Sequence, residues 1–439
     1  MFAGGITLFR KRTSVSWNHS PGMSQPRILL LAATTGYQTR SFAAAAANAG
    51  VNVALATDRC HVLEDPWRDR AIPIRFEEPE LSAQALAQAE NVDGIVAVGD
   101  RPTYIAALAA ETLGIPWHPP AAVLACRNKH RTRELFEAAG LLVPANFLVP
   151  ANADPGNAAR TAPYPCVLKP VGLSGSRGVI RADDAAEFLE AFRRIGRILS
   201  QPDAAREANA GAIQVEEFIP GREFALEGIM THGVLRVLAI FDKPDPLDGP
   251  FFEETIYLTP SREPTAVQRA IETTAARAAS ALGLWHGPIH AEMRVNERGV
   301  WMLEIAARPI GGLCARVLQF RNGTSLEELV VLHSVGRMPE VLEIVKPASG
   351  VMMIPVPRAG ILESVDGRTE AQAVPGVDDV IITARRGDRL IPLPEGASYT
   401  GFIFASGTSG QAVEHSLRTA HSRLHFTVLP ALDVLRGAL

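Results

Sequence analysis

The sequence predicts an α/β unit at the N-terminus, an α+β central region and a mostly β C-terminal part. Three observations carry this. Short apolar runs alternate with helix-compatible stretches up to about residue 120. From Ile213 the pattern changes to successive strands around one long helical stretch. Beyond Val351, strands and Gly/Pro turns dominate, with one late helix. Alternation of the first kind yields a parallel sheet with helices on both faces.

Residues 27–33 (RILLLAA) form a short apolar run suited to a buried strand. Residues 39–49 are Ala-rich and helix-compatible, Gly50 ends them, and 51–56 are a second strand. A strand at 72–76, a helix near 81–89, a strand at 94–98 and a helix at 102–113 continue the alternation to Pro119-Pro120. Residues 122–140 are predicted as helical, with Gly140 as C-cap. A Pro/Gly/Ala-rich stretch, 144–165, leads into a strand at 166–169. Strands are expected at 213–218, 223–230 and 235–241, a helix at 265–282, strands at 289–295 and 300–306, and a late helix at 411–424. The expected units are an extension over 1–25, a Rossmann-like unit over 26–121, a central domain over 122–340 and a β-rich lobe over 341–439.

Composition narrows the function classes. A chain of 439 residues suggests roughly three units. With 47% hydrophobic and 21% charged residues, it is neither disordered nor fibrous. A net charge of -4 argues against a dedicated nucleic-acid binder. No apolar run approaches the ~18 residues that span a bilayer. Cys60, Cys126, Cys166 and Cys314 stand far apart, which points to a reducing, cytoplasmic setting. Residues 1–57 hold no Asp or Glu. The expectation is a plain extension with Met23 as an alternative start; a transit peptide is the sharper alternative.

Two local patterns point to phosphate and metal chemistry. Lys169 ends an apolar strand and is followed by the run Gly172-Leu-Ser-Gly175-Ser176-Arg-Gly178. Such a loop can turn several N–H groups toward one anion, and the lysine adds a compact positive charge. It is neither a Walker A nor a dinucleotide fingerprint. The competing interpretation is a hairpin tip with a snorkelling lysine. Further on, residues 289–295 and 300–306 flank the turn Asn296-Glu-Arg-Gly299. A three-residue loop would pair Asn296 with Val300 and hence Glu292 with Glu304. Opposed Cβ atoms lie about 5 Å apart, so the two carboxylates call for a cation such as Mg²⁺. His290, Arg294 and Arg308 share that face by period two, and ion pairing of the arginines to the acids is the alternative.

The segment Val215-Glu216-Glu217-Phe-Ile219-Pro-Gly-Arg-Glu223 is a strand broken at Pro220-Gly221. It can offer backbone groups and carboxylates to an adenine edge and ribose, or be no more than an acidic strand end. Lys243 is balanced between a turn lysine and a substrate-facing group. His286 and His290 do not make a zinc pair, because Pro288 sits between them in a strand. Residues 407–410 read as a strand-to-helix turn, with Thr408 or Ser409 as N-cap.

In this order and spacing the pieces resemble the ATP-grasp superfamily of carboxylate–amine and carboxylate–thiol ligases, over about residues 27–426. The Asn128-Lys129-His-Arg-Thr-Arg133 run resembles its N/D-K-x-x-x-R helix start. The resemblance implies a central two-lobed ATP-grasp fold between the Rossmann-like and β-rich units. It implies that Lys129, Lys169, Gly175 and Ser176 contact phosphates. It further implies that Glu216, Glu217, Ile219 and Glu223 hold adenine and ribose, and that Glu292 and Glu304 bind Mg²⁺, or Mn²⁺. The run Glu304-Ile-Ala306-Ala-Arg308-Pro-Ile-Gly311-Gly312 is similar to the L-amino-acid ligase branch, as is the segment 252–260. That gives Glu254, Arg308, Gly311 and Gly312 to the substrate side, with Arg308 and Lys169 catalytic. Ala306 stands where many relatives carry Asn, and Tyr257 where His is usual.

The implied activity is ATP-dependent amide formation through an acyl phosphate on small-molecule carboxylates and amines, without nucleic acid or membrane. A homodimer is compatible with this. The alternatives are a biotin-carboxylase-like or purine-pathway enzyme, and a non-catalytic ATP-binding module.

Overall fold

The computed structural model describes residues 25–33, 38–58, 71–205 and 211–431. The expectations for the extension, Met23 and Cys60 fall outside these residues. The strands, in chain order, are β1 (Arg27–Ala32), β2 (Asn52–Thr57), β3 (Ile72–Pro73), β4 (Gly94–Val98), β5 (Asn146–Pro150), β6 (Cys166–Pro170), β7 (Ile180–Ala182), β8 (Ala212–Glu217), β9 (Arg222–Thr231), β10 (Val234–Lys243), β11 (Ile256–Thr259), β12 (Gly287–Asn296), β13 (Gly299–Ala306), β14 (Ala348–Ile354), β15 (Gly360–Asp366), β16 (Val377–Ile382), β17 (Arg389–Leu390), β18 (Gly401–Gly407) and β19 (His425–Leu429). The helices are α1 (Gln38–Asn48), α2 (Pro79–Leu86), α3 (Thr103–Leu113), α4 (Pro120–Cys126), α5 (Lys129–Ala138), α6 (Gly156–Thr161), α7 (Ala185–Leu199), α8 (Thr265–Leu282), α9 (Leu326–Ser334), α10 (Arg368–Gln372) and α11 (Gly410–His421).

The N-terminal sheet is parallel, in the order β3-β2-β1-β4. Its central strand β1 is apolar on both faces because helices and neighbouring units cover both. Gly94 lets β4 approach α9: a Cβ there would lie 2.4 Å from the Ser334 carbonyl oxygen. A second sheet, β5-β8-β6-β7, carries the strand that ends in Lys169. The largest sheet has eight strands, β13-β12-β9-β10-β11-β14-β18-β16. It continues from the central region into the C-terminal part, because β11 pairs with β10 on one side and β14 on the other. Strands β17-β15-β19 form a small separate sheet.

Several expectations are corrected. The helix predicted over 122–140 is two helices, α4 and α5, because Asn128 leaves the helical region and caps α5 by accepting from the Arg131 N–H. The Pro/Gly/Ala-rich stretch 144–165 contains β5, which pairs with β8, and α6. The strand predicted at 72–76 shrinks to β3. Helix α7 is an addition to the elements expected from the sequence. Its signals are Asp184, which accepts from Ala186 and Glu187 N–H, and the buried row Phe188, Ala191, Phe192, Ile195 and Leu199. Each large apolar side chain so buried contributes roughly 1.5–3 kcal/mol. Ser409 caps α11, as the sequence suggests.

Remote from the main cavity, four histidines gather beside Trp285. His286 stacks on His333 at 4.1 Å and lies 4.9 Å from His232. His118 accepts from the Trp285 N–H (3.1 Å), and its other nitrogen meets the Pro288 carbonyl (3.1 Å). Burial pushes the imidazoles of His118 and His286 down to about 4 and His333 to about 3, with neighbouring histidines adding to it. A depressed imidazole keeps the folded state short of protons that the unfolded chain binds near pH 6.5. Its stabilisation is therefore complete above pH 6.5 and falls away as pH drops toward 4. Each such group costs the folded state about 1.4 kcal/mol per pH unit as the pH falls below 6.5. Urea unfolding at pH 7 and pH 4.5 should show a steeper loss for the wild type than for His286→Phe/His333→Phe. Equal slopes would refute it.

Candidate active site

All fourteen residues assigned to the site from the sequence line a single cavity of 310 Å³, between β6 and its loop on one side and β12–β13 on the other. Lys169 sits at the end of β6, and the glycine loop follows at once. Gly175 (φ 64°) and Ser176 (φ 54°) are consecutive left-handed residues in a tight turn at the tip of the loop. Gly178 is required for a different reason: a Cβ there would stand 2.7 Å from the Pro170 ring. Arg177 clamps the loop, with Nη1 2.5 Å from Asp203 and Nε donating to the Glu395 carbonyl (2.9 Å). Lys129, at the start of α5, donates to the Leu173 carbonyl of the loop (2.6 Å) and stands 3.6 Å from Glu304. Lys129 thus reaches the loop from a different element, while Lys169 Nζ turns to Glu216.

Glu292 does lie opposite Glu304, though by a different route from the one predicted. The turn has two residues and pairs Asn296 with Gly299, not with Val300. A β-bulge at Leu303 then adds the missing residue and restores the pairing. Beyond the opposed pair, the structure adds a second grouping of acids. The carboxylates that converge are Glu223, Glu254 and Glu292, with oxygens within 4.8 Å of one another. Glu304 stands apart, beside Lys129. Lys243, buried at the end of β10, threads the converging three: its Nζ is 2.9 Å from Glu223, 3.3 Å from Glu292, and bonded to Glu254. Tyr257 donates to Glu254 (2.9 Å). Burial and the neighbouring Glu292 push the Glu254 carboxyl up to about 7. Burial opposes ionisation of Glu292, but Lys243 and His290 outweigh it and hold this carboxyl well below its ordinary value. An all-oxygen donor set already gathered around a cation suits a hard divalent ion.

Two of the acids expected at adenine and ribose, Glu216 and Glu223, have internal partners in this structure. Glu216 is 2% exposed, and its oxygens face Lys169 (2.5 Å) and Arg133 Nε (2.8 Å). Burial would raise its carboxyl; the two cations hold it at about 2. It is therefore committed to internal pairing. Glu223 is likewise taken, by Lys243 and by Arg294 Nε (3.0 Å). Arg294 also donates to the Ile219 carbonyl (2.8 Å) and packs on the Phe218 ring at 5.0 Å. Glu217, Ile219, Phe218 and Phe252 still line the cavity end beside this strand.

On the far side, Gly311 and Gly312 follow Ile310, whose N–H is held by the buried Glu227 (3.1 Å). Glu227 also contacts His290 (3.1 Å). Burial lowers the His290 imidazole, but hydrogen bonds to Glu227 and Glu292 raise it to about 9. Arg308 faces the cavity but pairs with neither Glu292 nor Glu304; its partner is Asp100 of the N-terminal unit. Sequence reasoning gives no role to Asp100 and no buried partner to Arg133. For Lys243 the β9–β10 turn at Thr231–Val234 would by itself give Arg222 as partner; the bulge at Leu238 moves the pairing to Glu223.

Residues 162–317 match the ATP-grasp domain, 42–117 the ATP-grasp N-terminal domain and 352–429 the L-amino acid ligase C-terminal domain 2. The structure is similar to the crystal structure of L-amino acid ligase from Bacillus licheniformis. TM-score is 0.79 at 28% identity, covering 93% of this chain and 100% of that one. The chain is 28% identical to alanine–anticapsin ligase of Bacillus subtilis over 53% of its length and 52% of that protein's. It is 25% identical to the uncharacterized protein y4rH of Sinorhizobium fredii over 73% of its length and 65% of that protein's. The chain thus spans about half to two thirds of these two curated relatives.

Proposed function

We propose that this chain, which carries the ATP-grasp domains, is an ATP-dependent ligase that joins an amino-acid-like carboxylate to an amine. The observation that carries the reading is the convergence of the phosphate-binding loop, the paired lysines, the carboxylates and Arg308 on one cavity. The match of 352–429 to an L-amino acid ligase domain favours amino-acid substrates over the purine-pathway and carboxylase alternatives.

The work of such a site is positioning and charge neutralisation. Lys129, Lys169, Gly175 and Ser176 hold the phosphates of ATP. Glu217, Ile219, Phe218 and Phe252 border the adenine. Glu292 and Glu304, with Glu223 and Glu254 close by, would hold Mg²⁺. A bound Mg²⁺ would neutralise phosphate oxygens and so lower the barrier to transfer. Arg308 faces the carboxylate as it takes the γ-phosphoryl group to give an acyl phosphate and ADP. Its planar fork suits both the carboxylate and the acyl phosphate. Glu254, Gly311 and Gly312 border the substrate, and an amine then displaces phosphate to form the amide. Among the described residues, Cys126, Cys166 and Cys314 are free, buried thiols. That is compatible with a cytoplasmic setting. No described helix is long and apolar enough to cross a membrane.

The test is ADP release from MgATP with pairs of amino acids, followed by mass analysis of the product. ADP release that requires both partners and yields their amide supports the ligase. Release that requires bicarbonate points to the carboxylase-like alternative. ATP binding with no turnover points to a regulatory module.

A further inference from the structure

Strand β4 ends at Val98, and Gly99 turns the chain at φ 86° so that Asp100 leaves the N-terminal sheet. The Thr103 hydroxyl fixes the turn by donating to the Asp100 carbonyl (2.6 Å). The Asp100 carboxylate then crosses to a residue 208 positions away: Arg308 Nε donates to Oδ1 at 2.8 Å and Nη2 to Oδ2 at 3.2 Å. Nη1 donates to the Pro309 carbonyl at 3.1 Å. A guanidinium has five N–H groups. Three are used here, which leaves one on Nη1 and one on Nη2 for an anion.

The pair stands in a partition. Arg308 lines the main cavity, while Asp100 lines an adjoining one of 350 Å³. The two spaces share Lys129, Leu173, Ser174, Glu304, Ala306 and Ala397. The Arg308 side chain is 14% exposed, so the fork cannot swing freely into solvent.

We propose that Asp100 is a positioning residue: it grips one edge of the Arg308 guanidinium and aims the remaining N–H groups at the reacting carboxylate and acyl phosphate. The N-terminal unit thereby takes part in the chemical step without touching ATP. The inference rests on the ligase reading. Burial would raise the Asp100 carboxyl, but Arg308, with Arg127 and Lys129 nearby, outweighs it and keeps the group ionised.

A grip of this kind has a kinetic signature. Removing it frees the arginine charge, which still attracts a carboxylate, but loses its aim. Asp100→Ala should therefore lower kcat by about 30- to 100-fold, the scale of a small misplacement of a catalytic group. The KM for the acid should stay unchanged or fall, and ATP affinity by calorimetry should stay within about twofold, as for a group outside the nucleotide contacts. Asp100→Asn keeps one acceptor and should fall between; it also serves if the alanine variant folds poorly. In an Arg308→Lys background, which has no fork to grip, Asp100→Ala should cost no more than about threefold.

A kcat for both Asp100 variants within about twofold of wild type would overturn the proposal and leave the ligase reading standing. So would an equal penalty in the wild-type and Arg308→Lys backgrounds. No carboxylate-dependent ADP release by the wild type would overturn the ligase reading, and this inference with it.

Discussion

Replacing Glu304 by Gln is expected to lower ADP release by about a hundredfold or more, the effect of weakening a metal contribution of several kcal/mol. The side chain keeps its shape and loses only its charge. Folding should hardly change, because the one ionic partner of Glu304 among the described residues is Lys129 at 3.6 Å, in a partly exposed pair. Pairs of that kind contribute about 0–1 kcal/mol. The variant should also require more Mg²⁺ to reach half-maximal rate, since Glu292 would face a neutral amide across the hairpin. Near-normal turnover at limiting Mg²⁺ would remove Glu304 from the metal site. It would leave the converging group of Glu223, Glu254 and Glu292 as the oxygen donors.

The second large effect concerns stability. Glu216→Gln should cost roughly 3–5 kcal/mol of unfolding free energy, the range for breaking a buried ion pair from one side. Arg133 is 1% exposed, and with Glu216 neutral its charge would keep little more than the Leu303 carbonyl, to which Nη1 donates at 2.6 Å. The cost lies in the stranded cation, more than in the lost attraction. Replacing Arg133 as well, Arg133→Met with Glu216→Leu, should therefore recover the arginine's share of the loss, while Lys169, 2.5 Å from Glu216, keeps its own. Urea unfolding of the three proteins decides it. A single Gln variant within about 1 kcal/mol of wild type would show that water already shields the arginine.

The cavity lining is legible in the sequence because its residues lie at strand ends and hairpins, where short-range rules act. Lys169 follows an apolar strand, and Glu292 and Glu304 flank a turn. Even there the hairpin pairing is right for a partly wrong reason. A two-residue turn and a bulge at Leu303 together give the phase expected of a three-residue loop. What escapes are contacts between distant segments. Nothing near Asp100 points to Arg308, and nothing near Glu216 says that Arg133 claims it before adenine can. Those pairings follow from how sheets and helices stack, which no local spacing encodes. Helix α7 escapes for another reason. Its cap and apolar row are local signals, but Gly196 lies inside its last turns and the preceding strand β7 has only three residues. A glycine there lowers helix propensity by about 1 kcal/mol, so loop, strand and helix run together in the pattern.

Strand β11 is only four residues long, yet it joins β10 to β14 and makes the eight strands continuous. A boundary near residue 340 therefore marks a change of composition and not a place where the protein can be cut. A fragment ending there would bare a row of unpaired amides and carbonyls along β11. Ile256 and Leu258, now within a core shared with Met352, Val413 and Leu417, would lose that cover. Such an edge is a template for pairing with other chains. The C-terminal segment is thus as much a guard against aggregation as a wall of the cavity.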